Sequence, residues 1–377
     1  MSSSSSGHAA HPPAAPGDAL ADVDTPALVL DLDAFEANLA AVHGHARANG
    51  VRVRAHGKAH RCPEIACRQL AAGAVGVCCQ KVGEAEGFAA AGIDDILVSN
   101  EIVGAAKLAR LARLARSVRL AVCVDHPDAV TALAQACVAE GSRLDVLIEV
   151  DVGQGRCGVA SVDEALALAR ALAAAPRLRL RGLQAYHGGA QHLRTAGERA
   201  AAFGETMRRA ARVRDTLRSA GFRCEEVSGG GTGTFIHEAA SGIYTEIQPG
   251  SYVLMDLDYR ANQADAAAPA LRQAIGVLAT VMSVRDAHVV LDAGLKALAL
   301  DSGPPAMRLP GWAVRTVSDE HTVVDRGPGT PALSLGARCL LDPGHCDPTM
   351  ALHDWVVACR TNRVEAVWPV LPRGASR

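Results

Sequence analysis

The chain has no run of about eighteen apolar residues, so nothing in it reads as a membrane-spanning helix. Nor does it have an excess of basic charge. A formal net charge of −2 over 377 residues leaves no electrostatic footprint for nucleic acid. The N-terminus, "MSSSSSGHAAHPPAAPGDAL", lacks the basic stretch and apolar core of a secretory signal. Its Ser, Pro and Ala content predicts a disordered leader over residues 1–22. Among the eleven cysteines no CxxC pair repeats at zinc-finger spacing. The expectation is reduced, buried thiols in a cytoplasmic protein, with Cys346 alone set aside as a possible ligand.

What is there is apolar: 49% of residues are hydrophobic, in a chain too long for one ordinary core. Two domains are therefore expected. From Val51 onward, strand and helix patterns alternate. Eight strand candidates run from "VRVRAHGK" through "AVGVCCQ", "DDILVSN", "VRLAVCVD", "LDVLIEVD", "LRGLQAY" and "CEEVSGGG" to "YTEIQPGSYVLM". Ala/Leu/Arg-rich helical runs lie between most of them. Eight such units over roughly 200–250 residues predict a closed (β/α)8 barrel, here placed at residues 23–261. An open doubly wound sheet is the alternative. After Tyr259 the pattern turns to short strands and turns, which predicts a mostly β domain over residues 262–377. The first strand, "TPALVLDL", is free to join that domain in space.

Several residue groups carry possible chemistry. In "VRVRAHGKAH", strict alternation ends in Lys58 at the carboxyl end of the first barrel strand, the end where barrels bind ligands. An amine desolvated there loses its proton more readily, as Schiff-base chemistry with an aldehyde cofactor requires. The plainer reading is a lysine that caps the strand and meets solvent. "SGGGTGT", Ser228 to Thr234, follows the seventh strand, and "PGSY" with Gly250, Ser251 and Tyr252 lies in the eighth stretch. Both are places where this architecture grips phosphate. "DVGQGRCG" sets Arg156 among glycines at another strand end, suited to an acidic oxygen or equally to a surface turn. In "DPGHCDPTMALHD", His345 and Asp347 stand two apart and in an extended segment would face one way. That is half of a divalent-metal site, or a hydrogen-bonded turn.

Taken together, "HGKAH", "CCQKVGEAE", "DVGQGRCGV", "QAYHGGAQH", "SGGGTGT", "PGSYVLMD", "DAGLK", "SDEH" and "PGHCDPT" resemble the fold-type III pyridoxal-phosphate enzymes of the D-threonine aldolase and D-serine dehydratase group. The resemblance covers the chain from about Asp24. It implies an alanine racemase-like barrel followed by a β domain, assembled as a homodimer. It implies that Lys58 carries the cofactor, pyridoxal 5'-phosphate, as a Schiff base. Arg156 would meet its phenolic oxygen, Tyr186 would lie by the ring, and Gln80 would stand near it. Thr232, Gly233, Gly250, Ser251 and Tyr252 would hold the phosphate. His345 and Asp347 would bind manganese or magnesium, and His192 would stand near the substrate hydroxyl.

The activity implied is cleavage of a β-hydroxy-D-amino acid, D-threonine giving glycine and acetaldehyde. 3-Hydroxy-D-aspartate, giving glyoxylate, is the alternative, with His187, Arg194 and His321 as candidate cations for its second carboxylate. A D-serine or 3-hydroxyaspartate dehydratase comes next. Dehydratases of the group show His-x-Cys with zinc, whereas His345-x-Asp347 favours a harder metal. A non-catalytic pyridoxal-phosphate carrier shares the barrel and lysine but lacks the β domain.

Overall fold

The computed structural model describes residues 11–371 and 373–377. The chain forms two compact units: one holds the chain up to Asp33 with Gln273–Val370, the other Ala34–Arg272 with Leu371–Arg377.

The larger unit is a closed parallel barrel. Its strands are those that follow β1 (Ala27–Asp31): β2 (Arg52–His56), β3 (Gly76–Cys79), β4 (Asp95–Glu101), β5 (Arg119–Val124), β6 (Leu144–Glu149), β7 (Leu178–Gln184), β8 (Glu226–Gly229) and β9 (Glu246–Ile247). They pair in chain order, and β9 closes onto β2 through Arg52↔Glu246 and Val53↔Ile247. Connecting helices include Ala105–Leu114, Pro127–Ala139, Val162–Ala173 and Ala196–Ser219. Alternation along each strand sorts the residues into two layers. Val77, Ile96, Val98, Val122, Val146 and Ile148 pack with Leu111, Leu133, Leu168 and Leu172 of the helices. Cys78, Leu97, Ala121, Cys123 and Leu147 form a separate buried cluster.

The opening stretch now has a physical account. Val53 and Ala55 are buried, and so are Arg54 and His56 on the polar face opposite them, while Arg52 is exposed. Arg54, 1% exposed, lies within the barrel unit between Glu246 (Nε to Oε1, 2.9 Å) and Asp95 (Nη1 to Oδ1, 2.7 Å). Ser228 donates to the same Glu246 oxygen at 2.7 Å, and Gln248 Nε2 donates to Ser228 at 2.8 Å and to Gln184 Oε1 at 2.8 Å. A guanidinium can be buried here because its charge is matched and its donors are used.

The smaller unit is a nine-stranded sheet. Its remaining strands are β10 (Ile275–Val284), β11 (His288–Leu291), β12 (Ala306–Met307), β13 (Trp312–Val317), β14 (Thr322–Arg326), β15 (Arg338–Asp342), β16 (Trp355–Arg360) and β17 (Arg363–Pro369). The order is β13-β14-β11-β10-β1-β16-β17, with β15 pairing β10 and β12. The N-terminal strand sits inside this sheet, antiparallel to β10 and parallel to β16.

Three expectations change. Residues 262–272 belong to the barrel unit rather than the β unit, and so do Leu371–Arg377. The leader expected over 1–22 falls in part outside the described residues. From His11 on it is built into the sheet unit: Gly17 N–H donates to Val364 O at 2.9 Å and Leu20 N–H to Asn362 O at 2.8 Å. Leu20 also packs against the cluster of Val29, Val357 and Val364, and that apolar anchor outweighs the low-complexity composition around it. Finally, His345 and Asp347 do not share an extended segment. A short helix, Cys346–Met350, begins between them. Asp347 is in its first turn, where a carboxylate is favoured, and Pro348 is tolerated there.

Replacing Arg54 by Met would remove the one buried cation between Glu246 and Asp95, leaving them only the exposed Arg52 (3.8 Å) and Arg119 (3.1 Å). Denaturant unfolding should show a loss of about 3–5 kcal/mol, the size associated with removing one partner of a buried ion pair. A loss below about 1 kcal/mol would mean that the pair is not what holds the barrel interior.

Candidate active site at the barrel mouth

The carboxyl ends of six strands converge on a cavity of about 280 Å³. Its wall includes Lys58, His56, Gln80, Arg156, Tyr186 and His192. Lys58 follows β2 in the 3-10 turn Gly57–Ala59 and is half-buried. Gln80 follows β3, and its Nε2 lies 3.0 Å from His56 Nε2 and 3.1 Å from Ser99 Oγ on β4. Tyr186 follows β7, and its ring edge abuts Gly231.

Arg156 sits on the loop after β6. Asp151 Oδ1 accepts from the N–H of Gly153 (2.9 Å) and Gly155 (3.0 Å), and Asp125 Oδ2 accepts from Gly158 N–H (3.1 Å). Arg156 Nη2 lies 3.8 Å from Glu149 Oε1. Burial, and then the neighbouring Glu101, push the Glu149 carboxyl up to about 9. At neutral pH the Glu149 carboxyl therefore keeps its proton, so it does not act as a full counter-charge to Arg156.

The two glycine-bearing loops are joined to each other. Gln248 N–H donates to Gly229 O at 3.0 Å and to Gly230 O at 3.1 Å. Gly250 adjoins the strand end that carries Lys58; a Cβ there would stand 2.9 Å from His56 O. At Gly231 a Cβ would stand 2.5 Å from Gln191 Oε1. These glycines are required by close approach, not by turn conformation. Thr232, 8% exposed, has a buried Oγ1 with no hydrogen-bond partner among the described residues. A buried hydroxyl left without a partner, in a cradle that side chains would fill, fits a phosphate. Thr232 and Gly233 border a different cavity, of about 390 Å³, with Tyr259 and Met255, and not the 280 Å³ one.

Not every expected phosphate ligand offers what was expected. Gly233 N–H donates to Gln191 Oε1 at 2.9 Å, so this glycine supplies room rather than a donor. The Tyr252 hydroxyl is fully buried, 3.0 Å from His43 Nε2 and 3.3 Å from Gln69 Nε2. Only the main chain of Tyr252, in the 3-10 turn Ser251–Val253, is placed to serve an anion. Ser251 is buried in the same turn.

His345 and Asp347 belong to the other unit and are described by themselves. Both are half-buried. His345 Nδ1 lies 2.6 Å from Asp301 Oδ2, which leaves Nε2 available to a metal. A carboxylate behind a histidine in this way is the usual support of a metal ligand. One imidazole and one carboxylate fit a hard divalent cation completed by water. Cys346 is buried, its thiol 3.5 Å from Asp347 Oδ1.

Reasoning from sequence missed Gln191, Glu149 and Asp258. Asp258 Oδ2 lies 2.5 Å from His192 Nδ1.

Comparison with known proteins agrees with this geometry. Residues 30–258 match the alanine racemase N-terminal domain, and residues 274–359 match a serine dehydratase domain. The chain belongs to the fold-type III pyridoxal-phosphate enzymes. Within them it falls in the group that includes D-threonine aldolases and 3-hydroxy-D-aspartate aldolases. It is 52% identical to a D-threonine aldolase of Arthrobacter sp. over 98% of both chains. It is 42% identical to a 3-hydroxy-D-aspartate aldolase of Paracoccus denitrificans, over 96% of this chain and 95% of that one. The crystal structure of D-threonine aldolase from Filomicrobium marinum superposes with a TM-score of 0.95 at 45% identity, covering 97% of this fold-type III chain and all of that one.

Behind the phosphate cradle, Glu238 is buried and accepts from Thr234 Oγ1 at 2.8 Å. Burial pushes its carboxyl up to about 8. The native state thus keeps a proton that the unfolded chain releases near its ordinary value of 4.5. Stability should therefore fall as pH rises from about 4.5 to about 8, and level off above that. Glu238→Gln should be more stable than the parent at pH 8 and lose that advantage toward pH 4.5, as followed by denaturant unfolding. A constant difference between the two across this range would contradict the assignment.

Proposed function

We propose that this enzyme cleaves β-hydroxy-D-amino acids by a retro-aldol reaction, with D-threonine giving glycine and acetaldehyde. One observation carries the reading: the Lys58 amine stands in a 280 Å³ cavity beside two joined glycine loops that enclose an unpartnered threonine hydroxyl. The likeness to D-threonine aldolases over almost the whole chain supports the substrate class.

Lys58 would hold pyridoxal 5'-phosphate, and His345 with Asp347 a manganese or magnesium ion; the first supplies an electron sink for the Cα carbanion, the second a Lewis acid for the β-hydroxyl. The chain's own residues do the rest. Thr232 and the loops at Gly231 and Gly250 bind the phosphate and fix the depth of the ring. Tyr186 limits where the ring can lie. Arg156 meets the phenolic oxygen with its positive charge, since the Glu149 carboxyl behind it keeps its proton. Gln80, fixed by His56 and Ser99, faces the same space. His192 takes the β-hydroxyl proton on Nε2 as the Cα–Cβ bond breaks.

The preference for D-threonine over 3-hydroxy-D-aspartate rests on Arg194, a candidate partner for a second carboxylate. Its guanidinium is already engaged by Asp258 and by Asn262 Oδ1 at 2.8 Å. The assembly would be a homodimer. Eleven free thiols suit a reducing compartment such as the cytoplasm, and no described helix is long and apolar enough to cross a membrane.

Borohydride treatment of the yellow holoenzyme should bleach it and leave the label on Lys58 in peptide mapping; a label elsewhere removes the basis of the site. D-threonine should be turned over faster than D-3-hydroxyaspartate. Pyruvate from D-serine with no glycine from either substrate would establish a dehydratase instead. His345→Ala and Asp347→Ala should keep the yellow cofactor but lose cleavage by roughly 10²-fold or more. Undiminished cleavage after chelation would exclude the metal.

A further inference from the structure

His192 is held from behind by a built arrangement that no role described so far uses. Its imidazole is 42% exposed on the cavity side chain face, while its Nδ1 lies 2.5 Å from Asp258 Oδ2. Asp258 is 8% exposed, on the short helix Leu257–Arg260. Its other carboxylate oxygen, Oδ1, accepts from Arg194 Nη2, and Arg194 Nη1 also donates to the Asp258 main-chain oxygen at 2.7 Å. Burial alone would raise this carboxyl, but Arg194 and His192 together hold it below the ordinary carboxylate range, so it is ionised. The histidine segment and the aspartate segment are tied by their main chains too: Gln263 N–H donates to Arg194 O at 2.7 Å, and Asn262 Nδ2 donates to Gln191 O at 2.9 Å. The Tyr259 ring stands 5.3 Å from the imidazole, centroid to centroid.

We propose that Asp258, clamped by Arg194, is the positioning residue that makes His192 a base: it accepts the Nδ1 proton and so fixes the tautomer with the lone pair on Nε2. The proposal rests on the assignment of His192 as the base for the β-hydroxyl. An ionised carboxylate has only acceptors, so the nitrogen facing it must carry the hydrogen. The second nitrogen then has an open lone pair, and it makes no hydrogen bond to any described residue. The proton taken from the substrate hydroxyl goes to Nε2, and the imidazolium formed is stabilised by the Asp258 charge 2.5 Å away. Arg194 sets which oxygen does what. Its guanidinium needs Oδ1, so Oδ2 is left for the histidine.

This ordering makes Asp258→Asn informative. Asparagine has one oxygen, which Arg194 claims, and the amide NH2 then faces Nδ1. That forces the proton onto Nε2, the wrong nitrogen for a base. We compare the parent holoenzyme with Asp258→Asn, His192→Ala and the double variant on D-threonine. Asp258→Asn should lower kcat by roughly 10²-fold, with KM changed less than about threefold and the cofactor absorbance kept. Added to His192→Ala, it should cost less than about twofold more, because its effect passes through the missing imidazole. In holoenzyme labelled with 15N-histidine, the His192 signals, assigned by their loss in His192→Ala, should show a protonated Nδ1 in the parent and a protonated Nε2 in Asp258→Asn.

Losses that multiply in the double variant, or one tautomer in both proteins, would overturn the proposal. Should Asp258→Asn not fold, Arg194→Gln frees the carboxylate while leaving it in place. It should cost about tenfold in kcat, and that cost should vanish in the His192→Ala background; a cost that persists there is the overturning result. The two assignments separate cleanly. A fully active His192→Ala ends the role of the histidine and this proposal with it. An inactive His192→Ala beside a fully active Asp258→Asn ends only the proposal.

Discussion

The ion pair of Arg54 with Glu246 joins the first and last strands of the barrel, and the site is set out from that junction. β2 and β9 are the strands that must meet for the barrel to close. A guanidinium with almost no exposure cannot be left unmatched, so the register that brings Glu246 and Asp95 to it is strongly preferred over its neighbours. Four residues beyond Arg54 comes Lys58; four beyond Glu246 comes Gly250. The register that satisfies the buried charge is the one that brings the amine's turn against the Gly250 loop. Ser228, bonded to the same Glu246, sets the start of the other glycine loop. A charge in the interior thus fixes the relation between the amine and the glycine loops proposed to hold the phosphate, which loops alone would hold loosely.

The polar residues of this unit follow a gradient of purpose. Around Arg54 most polar groups are paired, with Glu246 Oε1 shared by Arg54 and Ser228, although Glu246 Oε2 has no hydrogen-bond partner among the described residues. Toward the carboxyl ends they are arranged with something left over: the Thr232 hydroxyl, a proton kept by Glu149, an imidazole with one nitrogen engaged. Unused capacity of this kind costs stability and is found where a ligand will use it. Glu238 shows the cost directly. Its carboxyl lies beneath the glycine loop because the Thr234 hydroxyl, which accepts from Gln191, needs an acceptor there, and burial makes it hold its proton.

Much of this was legible in the sequence, and the reasons are specific. Strand alternation and the eight-unit count depend on local period, which sequence displays. Lys58, the two glycine loops and Arg156 each follow a strand, so strand order alone predicts that they share one end of the barrel. The meaning of "VRVRAH" was not legible, because a polar face inside a barrel and a polar face in water have the same period. Tyr252 and Gly233 were read by type. The structure shows the hydroxyl of one committed to His43 and Gln69 and the N–H of the other to Gln191, and those partners are distant in sequence. Asp258 was out of reach for the same reason: nothing local says that residue 258 will stand behind residue 192. The helix start at Cys346 was readable, since an acidic residue and a proline in succession mark a first turn. The alternation rule hid it.

The arginines of the barrel unit separate what the site recognises from what it is made of. Arg54 is structural, spent wholly on Glu246 and Asp95. Arg194 is spent on Asp258 and Asn262. Arg156 faces the cavity beside a Glu149 carboxyl that keeps its proton, and it keeps an unspent capacity for an anionic oxygen. A cation that is fully used cannot also read a substrate carboxylate without breaking what it already holds. Breaking the Arg194 contacts would free Asp258 from its clamp and with it the orientation of His192. A substrate bearing a second carboxylate must therefore find its counter-charge elsewhere or disturb the base, whereas a small apolar β-substituent makes no such demand. On the role proposed for His192, selectivity in this site is a consequence of how that imidazole is held.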